Sequence, residues 1–182
     1  ELNGDLLLME SRTSVRRITS HLLEQGRTLP GFIGDIGYAQ SNRERYEGFC
    51  QALTDAGKKV DSSLCLTTPL GIDTYREEID TFLSSLSRMP DAFVCASDYV
   101  ACILMQLLEK RGLRVPEDVA VSGFDNNTED LLAEHLTTVQ VFNEELGARL
   151  ALQILYRIKY PNTPHEVTYL GTNVLYRDST GD

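Results

Sequence analysis

The chain has 182 residues, of which 42% are apolar and 24% charged, with a formal net charge of −10. That length fits one domain or one and a fraction, the proportions are those of a soluble globular protein, and no run of about 18 apolar residues is present to cross a membrane. A chain this acidic is repelled by phosphate backbones, which argues against a nucleic-acid grip made by this polypeptide alone.

Read in chain order, the hydrophobic pattern alternates between strand and helix. The opening ELNGDLLLMESR has no basic region, only LLLM as an apolar core and no small-residue cleavage site. It is not a signal peptide, which points to the cytoplasm, and residues 6–9 read as a short strand. Residues 13–25 read as a helix stopped by Gly26, and 31–34 as an apolar strand with a loop through Gly37. Ser41-x-x-Glu44 reads as a capping box opening a helix that ends at Gly57. Residues 63–67 read as a strand. Thr74-x-x-Glu77 suggests a second capped helix, with Ile79, Phe82, Leu83 and Leu86 on one face. Then follow a strand at 92–96, a helix at 98–111 stopped by Gly112, a strand at 119–123, a short helix near 129–134 and a strand at 138–142. A long helix at 144–160 stops before Pro161. Residues 167–170 and 173–176 read as a final strand pair. Strands alternating with helices of this length imply an α/β fold with a doubly wound parallel sheet.

Chemistry concentrates where apolar strands end. AFVCA runs into Ser97-Asp98, and VAVSGF into Asp125-Asn126. Polar groups at the carboxyl ends of buried strands are where open α/β sheets bind ligands, so these tips point to a small polar ligand held by hydrogen bonds. Arg45, in the first turns of its helix, is either a solvated arginine or a bidentate donor to vicinal hydroxyls or a carboxylate. Asp125 is either a turn former or an acceptor for hydroxyl and N–H groups. Ser97 and Ser41 have equal claims as helix caps and as ligand contacts.

The cysteines, Cys50, Cys65, Cys95 and Cys102, form no C-x-x-C pair and read as core or half-buried thiols of a reducing compartment. The histidines, His21, His135 and His165, are scattered, which offers no zinc site. There is no G-x-S-x-G, G-x-G-x-x-G, P-loop or H-E-x-x-H motif, and no histidine placed to activate Ser97. The sequence predicts neither an enzyme nor a cofactor.

The segment PDAFVCASD, helix, RGLRVPEDVAVSGFD, LTTV, together with SNRERYEGF and the tail YRDST, resembles the effector-binding domain of the lactose-repressor/galactose-repressor family of bacterial transcription regulators. The likeness runs from about Leu6 to Thr180. It implies a periplasmic-binding-protein-like fold of type I, in which two subdomains joined by three crossovers enclose the ligand. It assigns 10–138 and 161–180 to the C-terminal subdomain, and 1–9 and 139–160 to crossover elements of the first. The rest of that subdomain and the DNA-binding helix-turn-helix have no counterpart here, so operator DNA would be met only through a missing part. By resemblance Arg45 and Asp125 are ligand anchors, Ser97 takes a slot often filled by Asn, and Ser41 touches ligand. Asn126 replaces a second Asp, and Leu70 falls near a stacking aromatic. The implied function is binding a sugar or other small metabolite in a homodimeric repressor. The alternative is a periplasmic or surface sugar-binding protein of the same fold.

Two apolar surfaces carry further expectations. The helix at 98–111 is apolar nearly all round, wide enough for a second copy to cover part of it. The stripe Leu146, Leu150, Ile154, Ile158 would pack on the absent subdomain. Left alone, it should self-associate, swap with another copy or be poorly ordered.

Overall fold

The computed structural model of the chain describes residues 4–71, 73–127 and 134–182. Its centre is a four-stranded parallel sheet in the order β3, β2, β4, β5, built from β2 (Pro30–Ile33), β3 (Cys65–Leu66), β4 (Ala92–Cys95) and β5 (Ala120–Ser122). The register pairs Phe32 with Val94 and Phe93 with Val121. β6 (Thr138–Gln140) continues the same edge through the parallel bridge Ser122–Thr137.

Both faces of this sheet are covered, and strand alternation sends side chains to two cores. Phe32, Ala92, Val94, Ala96 and Ala120 meet Val15, Ile18 and Leu22 of α1 (Arg12–Glu24) and Phe49 and Leu53 of α2 (Gln40–Asp55). Ile33, Phe93, Cys95 and Val121 meet Ile79 and Leu83 of α3 (Tyr75–Ser85) and the apolar side of α4 (Asp98–Lys110). The expected doubly wound architecture is therefore present. β3 lies on one side of β2 and β4 on the other, so the winding reverses at the β2–β4 boundary. Such a reversal opens a crevice at the carboxyl ends of the strands.

α1 and α2 cross tightly at Gly48, where an added Cβ would stand 2.2 Å from the Arg12 carbonyl oxygen. The expected left-handed stops are observed, with φ of +90° at Gly26, +70° at Gly57 and +73° at Gly112.

Several local expectations are corrected. The Ser41–Glu44 capping box does not form: α2 begins at Gln40, and extended Ala39 is its cap without a side-chain bond. Thr74 does occupy the cap of α3, but its hydroxyl bonds the Gly71 carbonyl and the Glu78 carboxylate, and no side-chain cap bond forms. The strand expected at 63–67 shrinks to β3, because Asp61 accepts from the Ser63 N–H and winds Ser62–Leu64 into a 3-10 turn. The short helix expected near 129–134 falls, but for its last residue, outside the described residues.

The last two strands do not pair with each other. β7 (Val167–Leu170) runs parallel to β1 (Leu6–Met9), and β8 (Asn173–Leu175) runs antiparallel to β6. β7 thus stands beside the segment assigned to the crossovers. α5 (Asn143–Lys159) is tied to the residue just before β1 by hydrogen bonds: Arg157 and Gln153 both donate to Asp5. These bonds hold the Asp5 carboxyl well below its ordinary range.

The two apolar helices differ. In α4, Val100, Ala101, Cys102, Ile103, Leu104, Leu107 and Leu108 are buried within the one chain. Its apolar width therefore does not call for a second copy, contrary to the expectation. In α5 no residue is buried, and Leu150, Leu152, Ile154, Leu155 and Ile158 are 47–72% exposed. Of the expected stripe, Leu150, Ile154 and Ile158 are uncovered and Leu146 is half-buried, yet the helix is fully formed. Among the described residues, no helix is long and apolar enough to cross a membrane.

Candidate ligand-binding cleft

The crevice predicted at the winding reversal is a cleft of about 700 Å³. One face of α2 supplies Gln40, Ser41, Glu44 and Arg45, and the turn after β5 supplies Asp125, Asn126 and Asn127. Leu8 and Met9 of β1 and Val141 and Asn143 before and at the start of α5 close the far side. A volume of that size suits a small organic ligand.

Arg45 is the most heavily constrained of these groups. Its Nη1 donates to the Ala96 carbonyl at the tip of β4, and its Nη2 donates to Asp125 Oδ1 at 3.2 Å. The guanidinium carbon lies 3.7 Å from the centre of the Phe124 ring, a cation–π contact. Its Nε is buried and has no hydrogen-bond partner among the described residues. Burial lowers the guanidinium's pKa below its ordinary value, while Asp125, Asp98 and Glu44 oppose that loss; an arginine remains charged through such a shift.

Asp125 is the opposite half of the pair. Burial raises its carboxyl, and Arg45 works against the rise. The Arg45 side chain is 10% exposed and that of Asp125 40%, so the carboxylate opens onto the cleft. Asp125 and Asn126 have φ of +107° and +51°, conformations that side-chain-bearing residues rarely adopt and that cost on the order of 1–3 kcal/mol each. The turn is held by the surrounding structure. Asp125 N–H donates to the Val139 carbonyl at 3.1 Å, and Asn126 N–H to Thr138 Oγ1 at 3.2 Å. Backbone strain maintained in this way is found at ligand-binding turns.

The remaining sequence candidates divide. Ser41 lines the cleft, and because it caps nothing its hydroxyl has no hydrogen bond among the described residues. Asn126 also lines it, but its amide donates to Gln140 and accepts from Arg177 at 2.9 Å, so it supports the turn. Ser97 is the cap of α4, accepting from the Val100 N–H at 3.3 Å, and is not among the residues lining the cleft. Leu70 is buried and lines neither the cleft nor the neighbouring α3–α4 groove.

Glu44 is a site residue that the motifs missed. It is buried at the cleft wall and accepts from Gln40 and from the Tyr169 hydroxyl, each at 3.3 Å. The available signal was helical spacing: positions 40, 41, 44 and 45 share one face. Asp98 is the second, and it lies behind the turn. Cys95 and Cys102 are buried and Cys50 and Cys65 half-buried, and among the described residues none is joined in a disulfide. Among the described residues no group of His, Cys, Asp or Glu is arranged to hold a metal ion.

This geometry can be set beside known proteins. A family model described as a periplasmic binding protein-like domain matches residues 19–180. The chain is 32% identical over 146 residues to the HTH-type transcriptional regulator DegA of Bacillus subtilis, covering 79% of this chain and 42% of that protein. It is 32% identical over 170 residues to the HTH-type transcriptional regulator CelR of Thermobifida fusca, covering 90% of this chain and 48% of that one. Among solved structures, a complex of the transcriptional regulator CelR with cellobiose superposes with a TM-score of 0.86 at 28% identity, over 97% of this chain and 54% of that one. The chain spans about half the length of the curated relatives it matches. It belongs to the periplasmic binding protein-like domain family, in the form carried by the LacI-family transcription regulators.

Proposed function

We propose that this chain is the effector-binding module of a bacterial transcription regulator and that its cleft takes a sugar or related polyhydroxy metabolite. The observation that carries the reading is the Arg45–Asp125 pair: a nearly buried guanidinium with an unused N–H, beside a carboxylate open to the cleft. That pairing offers donors and acceptors side by side, the arrangement vicinal hydroxyls need. A relative seen with cellobiose supports the same class of ligand. No catalytic role is assigned to these residues, in keeping with relatives that are transcriptional regulators.

Ligand in the cleft would favour one arrangement of its two walls over the other and so change the spacing of DNA-binding parts outside this chain, acting in a cytoplasmic homodimer. With a net charge of −10, the 182-residue chain alone should give no salt-sensitive mobility shift with DNA, and such a shift would count against the reading. The deciding experiment is a thermal-shift screen of the natural full-length protein against sugars, sugar phosphates, nucleosides and purines, since a ligand that binds the native state raises the melting temperature. A sugar hit lost in Arg45→Ala supports the reading. A hit confined to purines, or a sugar hit indifferent to Arg45, overturns it.

A further inference from the structure

Asp98 is the first residue of α4 and only 2% exposed. A buried carboxylate persists only where its oxygens are satisfied, and here the donors converge from one turn. Oδ2 accepts the Asn127 N–H at 2.7 Å. Oδ1 accepts the Thr138 hydroxyl at 2.6 Å, and Thr138 Oγ1 in turn accepts the Asn126 N–H at 3.2 Å. Two consecutive amides of the cleft turn thus end on one carboxylate, one directly and one through a single hydroxyl. The Asp98 N–H donates to the Phe124 carbonyl at 2.8 Å. A Cβ at Gly123 would lie 2.2 Å from Asp98 Oδ1, so the chain leaves space there for the carboxylate.

We propose that Asp98 is a positioning residue of the cleft: its carboxylate holds the 125–127 turn, with Asp125 and Asn126 at positive φ, in the conformation that sets Asp125 against Arg45, so the polar wall of the cleft follows the charge of a side chain behind it. The inference rests on the effector reading only for what the wall binds; the geometry of the turn stands apart from any ligand.

The relay has a direction. An ionised Asp98 accepts from Thr138, which leaves the Thr138 oxygen free to accept from Asn126. A protonated Asp98 carries a donor on one oxygen. Placed on Oδ1, that proton faces a Thr138 hydroxyl whose own proton then loses its acceptor. Burial favours the protonated form, Thr138 and Asn127 oppose it, Asp125 adds repulsion and Arg177 attraction; burial prevails and the carboxyl is pushed up to about 6. Among the described residues the other charged neighbours are Arg45 from α2 and, across the groove on the far side, Asp73, Arg76 and Glu77. The Cys95 thiol behind it is raised well above its ordinary value by burial and stays neutral.

The test is an amide NMR titration of the chain from about pH 7.5 to about pH 5, a window that brackets the raised carboxyl, in wild type, Asp98→Asn and Thr138→Val. In wild type the Asn126 and Asn127 amides should shift together with a midpoint near 6. Thr138→Val should abolish the Asn126 response and keep that of Asn127; Asp98→Asn should abolish both. Turn amides that ignore pH in wild type, or that titrate unchanged in Asp98→Asn, overturn the proposal. If Asp98→Asn does not fold, the split between Asn126 and Asn127 in Thr138→Val decides it. A parallel titration with cellobiose separates the two readings. Affinity that falls about threefold or more on acidification in wild type but not in Thr138→Val supports both. A titrating turn with no cellobiose bound at either pH supports the positioning role and retires that sugar.

Discussion

Replacing Arg45 with Ala removes three contacts at once: the donor to the Ala96 carbonyl, the 3.2 Å pair with Asp125 and the packing over Phe124. Two consequences can be weighed separately. For ligand binding, the loss is that of a charged hydrogen bond, about 1.5–3 kcal/mol, or roughly ten- to hundred-fold in affinity. For the fold, a lost backbone acceptor partner costs about 1 kcal/mol and the cation–π contact about 0.5–2 kcal/mol. Relief of the buried guanidinium offsets part of this, and the half of the pair on Asp125 is 40% exposed, so its ionic share is small. A net loss of about 2 kcal/mol lowers the melting temperature of a domain this size by about 4–8 °C. The two effects are read by calorimetric titration with the sugar identified in the screen and by a thermal melt without it. Arg45→Lys tests geometry against charge, because an ammonium cannot reach Ala96 and Asp125 as a planar fork does. Wild-type affinity in Arg45→Ala would refute the reasoning, whatever the melt shows.

Asp98 predicts a pH profile. Its folded value, about 6, lies above the ordinary 3.8, so its contribution to stability is complete below about pH 4 and is lost as pH rises through about 6. That is at most about 3 kcal/mol. Wild type should therefore gain stability between pH 7 and 5 relative to Asp98→Asn in paired urea melts; parallel profiles would count against it. Gly48→Ala should cost about 1–3 kcal/mol, as overpacking does, because the Cβ meets the Arg12 backbone rather than a movable side chain; an unchanged melt would show that α1 and α2 can part freely. Ile154→Glu, at a site 54% exposed, should change stability by no more than about 0.5 kcal/mol while reducing concentration-dependent association of the chain in sedimentation. Equal association in both proteins would show that the α5 stripe is not the contact.

The sequence by itself determined the alternation of strands and helices, the two faces of the central sheet and the glycine stops, because these follow from local periodicity and backbone freedom. Strand ends could be read the same way, and with them Arg45 and Asp125 as candidates, since a polar residue after an apolar run marks a strand tip. Tertiary structure decided what those residues meet. The Arg45–Asp125 pair joins residues 80 apart in the chain. Ser41 and Ser97 look alike as caps, and only the true start of each helix shows that Ser97 caps and Ser41 faces the cleft. Strand pairing was also out of reach, because the sequence pattern says that 167–170 and 173–176 are strands but not that they join β1 and β6. The same holds for α4 and α5: both read as apolar, yet one is buried within its own chain and the other stands open. A hydrophobic stripe records that a surface seeks cover; what covers it depends on elements distant in sequence.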